Sequence, residues 1–108
     1  MSTIEHNGKS FEVDEYGFLT KGMEEWNQDW VDYVKDSESI TDLTDEHKKV
    51  IDTIQEYYKK NGIAPMVRFL QKTTGFSLKR IYELFPSGPR RGACRIAGLK
   101  KTAIVGCV

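Results

Sequence analysis

At 108 residues, 39% hydrophobic and 30% charged, the chain is sized and composed for one globular domain with a single core. No apolar run approaches the roughly 18 residues that span a bilayer, and Met1-Ser-Thr-Ile-Glu-His6 has neither the basic nor the apolar region of a secretory leader, so the expected compartment is the cytoplasm. The net charge of zero hides an asymmetry: residues 1–56 hold 15 acids and 5 bases (−10), residues 57–108 one acid, Glu83, and 11 bases (+10).

That asymmetry has two readings. One is a pair of solvated faces of opposite sign. The other is a basic C-terminal surface that guides an anion or an acidic partner.

Thr3–His6 and Lys9–Val13 flank Asn7-Gly8, both residues tolerant of the positive φ of a type I′ turn, so a two-residue β-hairpin is predicted. Asp14-Glu-Tyr-Gly17 then turns into Phe18-Leu19, a short third strand, and residues 1–20 read as a β-meander. The remainder, 23–97, reads as helices. Trp26, Trp30, Val31 and Val34 have helical spacing and predict a helix over 23–36, the two indoles being read as core rather than as a cofactor or nucleic-acid site.

Thr44 is placed to cap the next helix, with Asp45 and Glu46 in its first turn and Asn61-Gly62 at its end. Its predicted buried stripe is Val50, Ile51, Ile54, Tyr57 and Tyr58. Pro65 opens a short helix filled by Met66, Val67, Phe69 and Leu70 and broken at Gly75. Ser77 caps another, with Leu78, Ile81, Leu84 and Phe85 as its apolar face. Pro86-Ser-Gly-Pro89 is a rigid turn into a last helix through Ala97. The expected fold is α+β and mostly helical: a small N-terminal hairpin or meander on a bundle of about five helices. Within it, 65–85 reads as a helix-turn-helix-like pair. Residues 1–97 form the body and 98–108 a mobile C-terminal arm.

Both thiols lie near that arm. Cys107 stands second from the carboxyl end, and ten extended residues beyond Gly98 would carry its sulfur on the order of 30 Å. Gly98 and Gly106 are the candidate pivots. If 89–97 is helical, Arg90 and Arg91 precede Cys94 by four and three residues on one face. Arg95, Lys100 and Lys101 add further positive charge, an environment that favours a thiolate. Twelve residues separate the two cysteines, and a chain that long can fold back to join them. The alternative is that one thiol is incidental. His6 and His47 are remote in sequence and there is no Cys-x-x-Cys spacing, so no metal site is expected. No paired carboxylates, Gly-rich phosphate loop or Cys–His pair suggests an enzyme in its own right. A protein acted on by enzymes is the better fit.

Ile63-Ala-Pro-Met-Val-Arg68, Gly75-Phe-Ser-Leu-Lys-Arg-Ile-Tyr-Glu-Leu-Phe-Pro-Ser-Gly-Pro89, Gly92-Ala-Cys-Arg-Ile-Ala-Gly-Leu99 and Gly106-Cys-Val108 together resemble the DsrC/TusE family, and the likeness runs along the whole chain. The resemblance implies a sulfur-carrier cosubstrate of dissimilatory sulfite reductase. Cys107 would receive sulfur at the reductase and Cys94 would then close a trisulfide-like bridge. The sirohaem and iron–sulfur clusters belong to the α and β subunits of the reductase, and the carrier has no cofactor of its own. A membrane-bound electron-transfer complex would reduce the bridge, and in sulfur oxidisers the same logic runs in reverse.

TusE-like members, which relay sulfur through partner proteins toward tRNA thiolation, keep only the terminal cysteine, so Cys94 favours the sulfite reductase branch. The family's arm usually reads Gly-Leu-Pro-Lys-Pro-Thr-Gly-Cys-Val, two residues shorter than here. Leu99-Lys-Lys-Thr-Ala-Ile-Val-Gly-Cys107 lacks both prolines, which predicts either a looser arm or one that Ile104 and Val105 seat on an apolar groove. The reading from a different class is a DNA-binding regulator using Ser77, Lys79 and Arg80 of the second helix of the pair.

Overall fold

The structure is a computed structural model and describes residues 2–104. Asn7 and Gly8 take φ of 52° and 79°, and this turn joins β1 (Ser2–His6) to β2 (Lys9–Val13) in antiparallel register, Ile4 opposite Phe11. The expected third strand is reduced to a single bridge, Val13 to Leu19. The reason is local: Asp14 Oδ1 accepts from the amides of Tyr16 and Phe18, at 2.8 and 3.0 Å, and this turn uses donors a ladder would need.

The helix predicted over 23–36 is interrupted. A 3-10 turn, Gly22–Glu25, precedes α1 (Gln28–Ser37), because the extended Asn27 takes the N-cap and its side chain accepts from the Trp30 amide at 2.9 Å. The hairpin docks on α1 through aromatic contacts. The Phe11 and Trp30 rings are 5.3 Å apart, those of Trp30 and Tyr33 5.5 Å, and those of Tyr33 and His6 5.8 Å.

α2 (Asp45–Asn61) begins and ends as its sequence dictates, capped by Thr44 and stopped by Gly62 at φ 75°. Val50, Ile51 and Ile54 are buried, but Tyr57 and Tyr58 are only half-buried, and Gln55 is buried in their stead. α3 (Val67–Thr74) and α4 (Leu78–Leu84) are separated by Gly75 and capped at Ser77, as expected. Their apolar faces are narrower than predicted. Leu70, Ile81, Leu84 and Phe85 are buried, whereas Met66, Phe69 and Leu78 are exposed. A helix of about two turns offers few positions to a core lying on one side of it.

The last helix starts at Pro89 as predicted, but as a π-helix, Pro89–Cys94, that tightens to α-helix at Arg95 and Ile96. The α+β, mostly helical class therefore holds, with two strands and five helices of at least six residues among the described residues. Within them no helix is long and apolar enough to cross a membrane.

His47 fills the third position of α2 and completes a capping box. The Thr44 amide donates to Nδ1 (3.1 Å), which fixes the ring's proton on Nε2, 2.9 Å from the Leu84 carbonyl. Burial, outweighing the bond to Leu84, holds the imidazole pKa below its ordinary value, with the Arg80 charge in the same direction and Glu46 opposing. The unfolded chain therefore binds the extra proton first. Stability is full above about pH 6.5 and falls as the pH drops through the window below it. Urea unfolding at about pH 7.5 and 5.5 should show this loss in the native protein. The loss should be smaller in His47→Gln, which keeps an acceptor for the Thr44 amide.

Candidate functional site

The site is built around Cys94, the last residue of the π-helix and fully buried. A helix leaves its final carbonyls without partners, and here long-range side chains satisfy them in succession. Trp30 Nε1 donates to the Arg95 carbonyl (2.8 Å), Trp26 Nε1 to that of Ile96 (2.9 Å), and Gln55 Nε2 to that of Ala97 (2.9 Å). The Cys94 carbonyl itself accepts from the Leu99 amide (3.2 Å), and Arg95 from that of Gly98 (3.0 Å). That pairing is a Schellman motif with Gly98 at its left-handed position, φ 87°. Trp30 is thus a core residue, as read from sequence, Trp26 is half-buried against that core, and both are clamps on the chain immediately after the cysteine.

The entry to the helix is held from α1. Glu38, 9% exposed, accepts from the Ser87 amide (3.1 Å) and hydroxyl (2.7 Å) and from Arg95 Nη2 (3.4 Å). Arg95 Nη2 also donates to Ser37 Oγ (3.1 Å). Cys94 therefore sits between two anchored ends, on the kind of rigid element that fixes a reactive atom.

The cations expected near the thiol have these placements. Arg95 points to Glu38 and Ser37. Lys101 Nζ lies 3.4 Å from the centroid of the Tyr16 ring, a cation–π contact. Arg90, Arg91 and Lys100 are exposed while Cys94 is not, so their charge lies at the surface, along with that of Lys59, Lys60, Arg68, Lys72 and Lys79.

Gly98, expected as a pivot, is buried within the Schellman motif. The arm expected from residue 98 is seated over its first part. Leu99, Ala103 and Ile104 are buried, a 3-10 turn spans Lys101–Ala103, and the Ala64 amide donates to the Ala103 carbonyl at 2.7 Å. Packing by Ile104 accords with the second of the two expectations for a proline-free arm. Gly106 and Cys107 lie outside the described residues.

Of the residues offered for DNA contact, Lys79 is exposed, but Arg80 is committed to Glu46 and Glu83 of its own chain. Its guanidinium holds the Glu46 carboxyl below the usual carboxylate range. His6 lies 3.9 Å from Asp36 and His47 serves the α2 cap. Among the described residues no cluster of His, Cys, Asp and Glu is placed to hold a metal ion.

Sequence reasoning missed Glu38, Ser87 and Gln55. Only Glu38 left a trace in the sequence, as an acid at the end of a helix where a base is favoured.

The family model described as DsrC like protein matches residues 5–108. Over all 108 residues, and all of the relative, the chain is 59% identical to the dissimilatory-type sulfite reductase subunit gamma of Nitratidesulfovibrio vulgaris (strain Hildenborough). It is 34% identical over 104 residues to a sulfurtransferase TusE homolog of Haemophilus influenzae, covering 90% of this chain and 94% of that one. A chain in the crystal structure of dissimilatory sulfite reductase I superposes with a TM-score of 0.89 at 56% identity, covering 99% of this chain and 100% of that one.

Proposed function

The chain belongs to the DsrC family, and from that membership we propose that it is a sulfur-carrier cosubstrate of dissimilatory sulfite reductase, loaded on Cys107 and closed through Cys94. The observation that carries this reading is the full-length 59% identity to a sulfite reductase gamma subunit, in a chain whose two thiols both lie in its C-terminal stretch. The anchored helix around Cys94 supports it, because a resolving thiol acts best from a fixed position.

The chemistry balances in three steps. At the reductase, whose sirohaem and iron–sulfur clusters supply two electrons, the Cys107 thiol captures sulfite sulfur as a Cys–S–S–OH adduct, with loss of two waters. The Cys94 thiol then attacks the outer sulfur and expels its hydroxyl as a third water. This leaves Cys94–S–S–S–Cys107, with no further electron transfer. Four electrons and four protons, delivered through a membrane-bound electron-transfer complex, cleave both S–S bonds, restore the two thiols and release sulfide. The carrier needs no cofactor of its own, and the exposed bases of its C-terminal half suit an anion or an acidic docking face on the partner.

Incubation with the reductase, sulfite and a reductant should produce, by intact mass, a species one sulfur heavier and two hydrogens lighter than the reduced chain. In Cys107→Ala no sulfur should be gained. Wild-type turnover by Cys107→Ala would overturn the reading. The TusE-like alternative, a relay to a thiolation partner, has the 34% relative in its favour and differs in making Cys94 dispensable.

A further inference from the structure

Glu38 is in the wrong place for every local role. It is the C-cap of α1, where the helix dipole presents partial negative charge and a carboxylate is disfavoured, and it is buried, which further disfavours charge. Neither α1 nor its cap explains the residue.

Its contacts lie far along the chain, and they bracket one residue. Glu38 binds both the amide and the hydroxyl of Ser87, in the turn before the π-helix, and Arg95, directly after Cys94. Between them it rests against Gly92, where any Cβ would lie 3.1 Å from Oε1 and 2.8 Å from the Phe85 Cβ. One carboxylate thus touches the cysteine segment before, within and after its π turn. π turns are held open only where surrounding structure compensates for them, and they recur at functional sites.

We propose that Glu38 is a positioning residue for Cys94: by tying Ser87 to Arg95 across the π-helix, it fixes the place from which the Cys94 sulfur meets an incoming sulfur. The proposal rests on the carrier reading for the identity of that incoming sulfur. The restraint itself belongs to the fold.

The test compares Glu38→Ala and Glu38→Gln with a core variant of matched stability, Val50→Ala, all in the full chain. In a glutathione redox buffer, oxidised glutathione takes two electrons from the protein thiols, and the equilibrium constant for Cys94–Cys107 disulfide closure is read by intact mass. Glu38→Ala is expected to lower that constant on the order of tenfold to a hundredfold. Glu38→Gln, which keeps an acceptor for Ser87 but loses the charge facing Arg95, should fall between, and Val50→Ala should leave the constant unchanged. In a Cys107→Ala background, where Cys94 is the sole thiol, Glu38→Ala should quicken its alkylation by iodoacetamide about tenfold relative to Val50→Ala.

Closure and alkylation that match those of Val50→Ala would overturn the proposal, as would a Glu38→Gln indistinguishable from wild type should Glu38→Ala fail to fold. If wild type forms no disulfide at any glutathione ratio, the alkylation comparison decides the role of Glu38, and the carrier reading is decided by the sulfur gain with the reductase and sulfite.

Discussion

Cys94→Ala protein is expected to accept sulfur from the reductase and to form none of the bridged product. The substitution removes one buried heavy atom, so the fold should survive at a cost of about 1 kcal/mol. What it removes chemically is the intramolecular nucleophile. It stands on the same chain as Cys107, and such a tether supplies a second thiol at an effective concentration of the order of millimolar. Without added thiol, loaded Cys94→Ala should accumulate with its sulfur on Cys107, and the mass of the bridged species should be absent. A small thiol at about 10 mM should then substitute for Cys94 and restore sulfide release in part, because it matches the tether's effective concentration. Normal bridge formation in Cys94→Ala would remove Cys94 from the mechanism. Undiminished sulfide release without added thiol would favour the relay reading.

The second large effect is structural. Gly98→Ala is expected to destabilise the protein by about 3 kcal/mol, from two separable causes. The left-handed φ of 87° is disfavoured for any side chain, and a Cβ there would lie 2.5–2.9 Å from three atoms of the Trp26 side chain. Trp26 cannot swing aside freely, because its Nε1 is bonded to the Ile96 carbonyl. Gly62 separates the causes: it shares the left-handed conformation, at φ 75°, but has nothing within 4 Å of its missing Cβ. Gly62→Ala should therefore cost only the conformational part, about 1 kcal/mol. Urea unfolding midpoints measure both, and in a domain of this size about 3 kcal/mol lowers Tm on the order of 12–24 °C. Equal costs at the two glycines would show that the Trp26 contact does not constrain the chain after Cys94.

These two results would bear on the arm as it meets the body. With Leu99, Ala103 and Ile104 buried, the stretch through residue 104 is part of the folded body, and any swing of Cys107 starts later than the sequence suggested. Departure of more of the arm would require extracting Ile104 from the core and breaking the Ala64–Ala103 link.

The elements themselves were legible in the chain because their signals act over a few residues. Asn7-Gly8 dictates a turn by its φ angles, Thr44 and Ser77 cap the amides that follow them, Gly62 and Gly75 stop helices, and Pro89 starts one. Where two local signals competed, the sequence was ambiguous. The spacing of Trp26 and Trp30 predicted one helix, but the structure places the Asn27 side chain as an N-cap between them, and the cap prevailed over the spacing. Both cysteines and the family resemblance were also visible without coordinates.

What surrounds Cys94 was not. Glu38 meets Ser87 across 49 positions and Arg95 across 57, Gln55 meets Ala97 across 42, and Trp26 meets Ile96 across 70. No periodicity or cap encodes such a pairing. Sequence determined which segments would be helix or hairpin and where the thiols stand in the chain. Only the docking of α1, the turn before it and α2 onto the final helix decided that its carbonyls would be closed by two indoles and an amide, that Arg95 would turn to Glu38 while Arg90 and Arg91 stay exposed, and that Gly98 would be a fixed stop. The physical reason is range: backbone preferences are set by immediate neighbours, whereas the partner of a buried polar group is whichever group packing brings within about 3 Å of it.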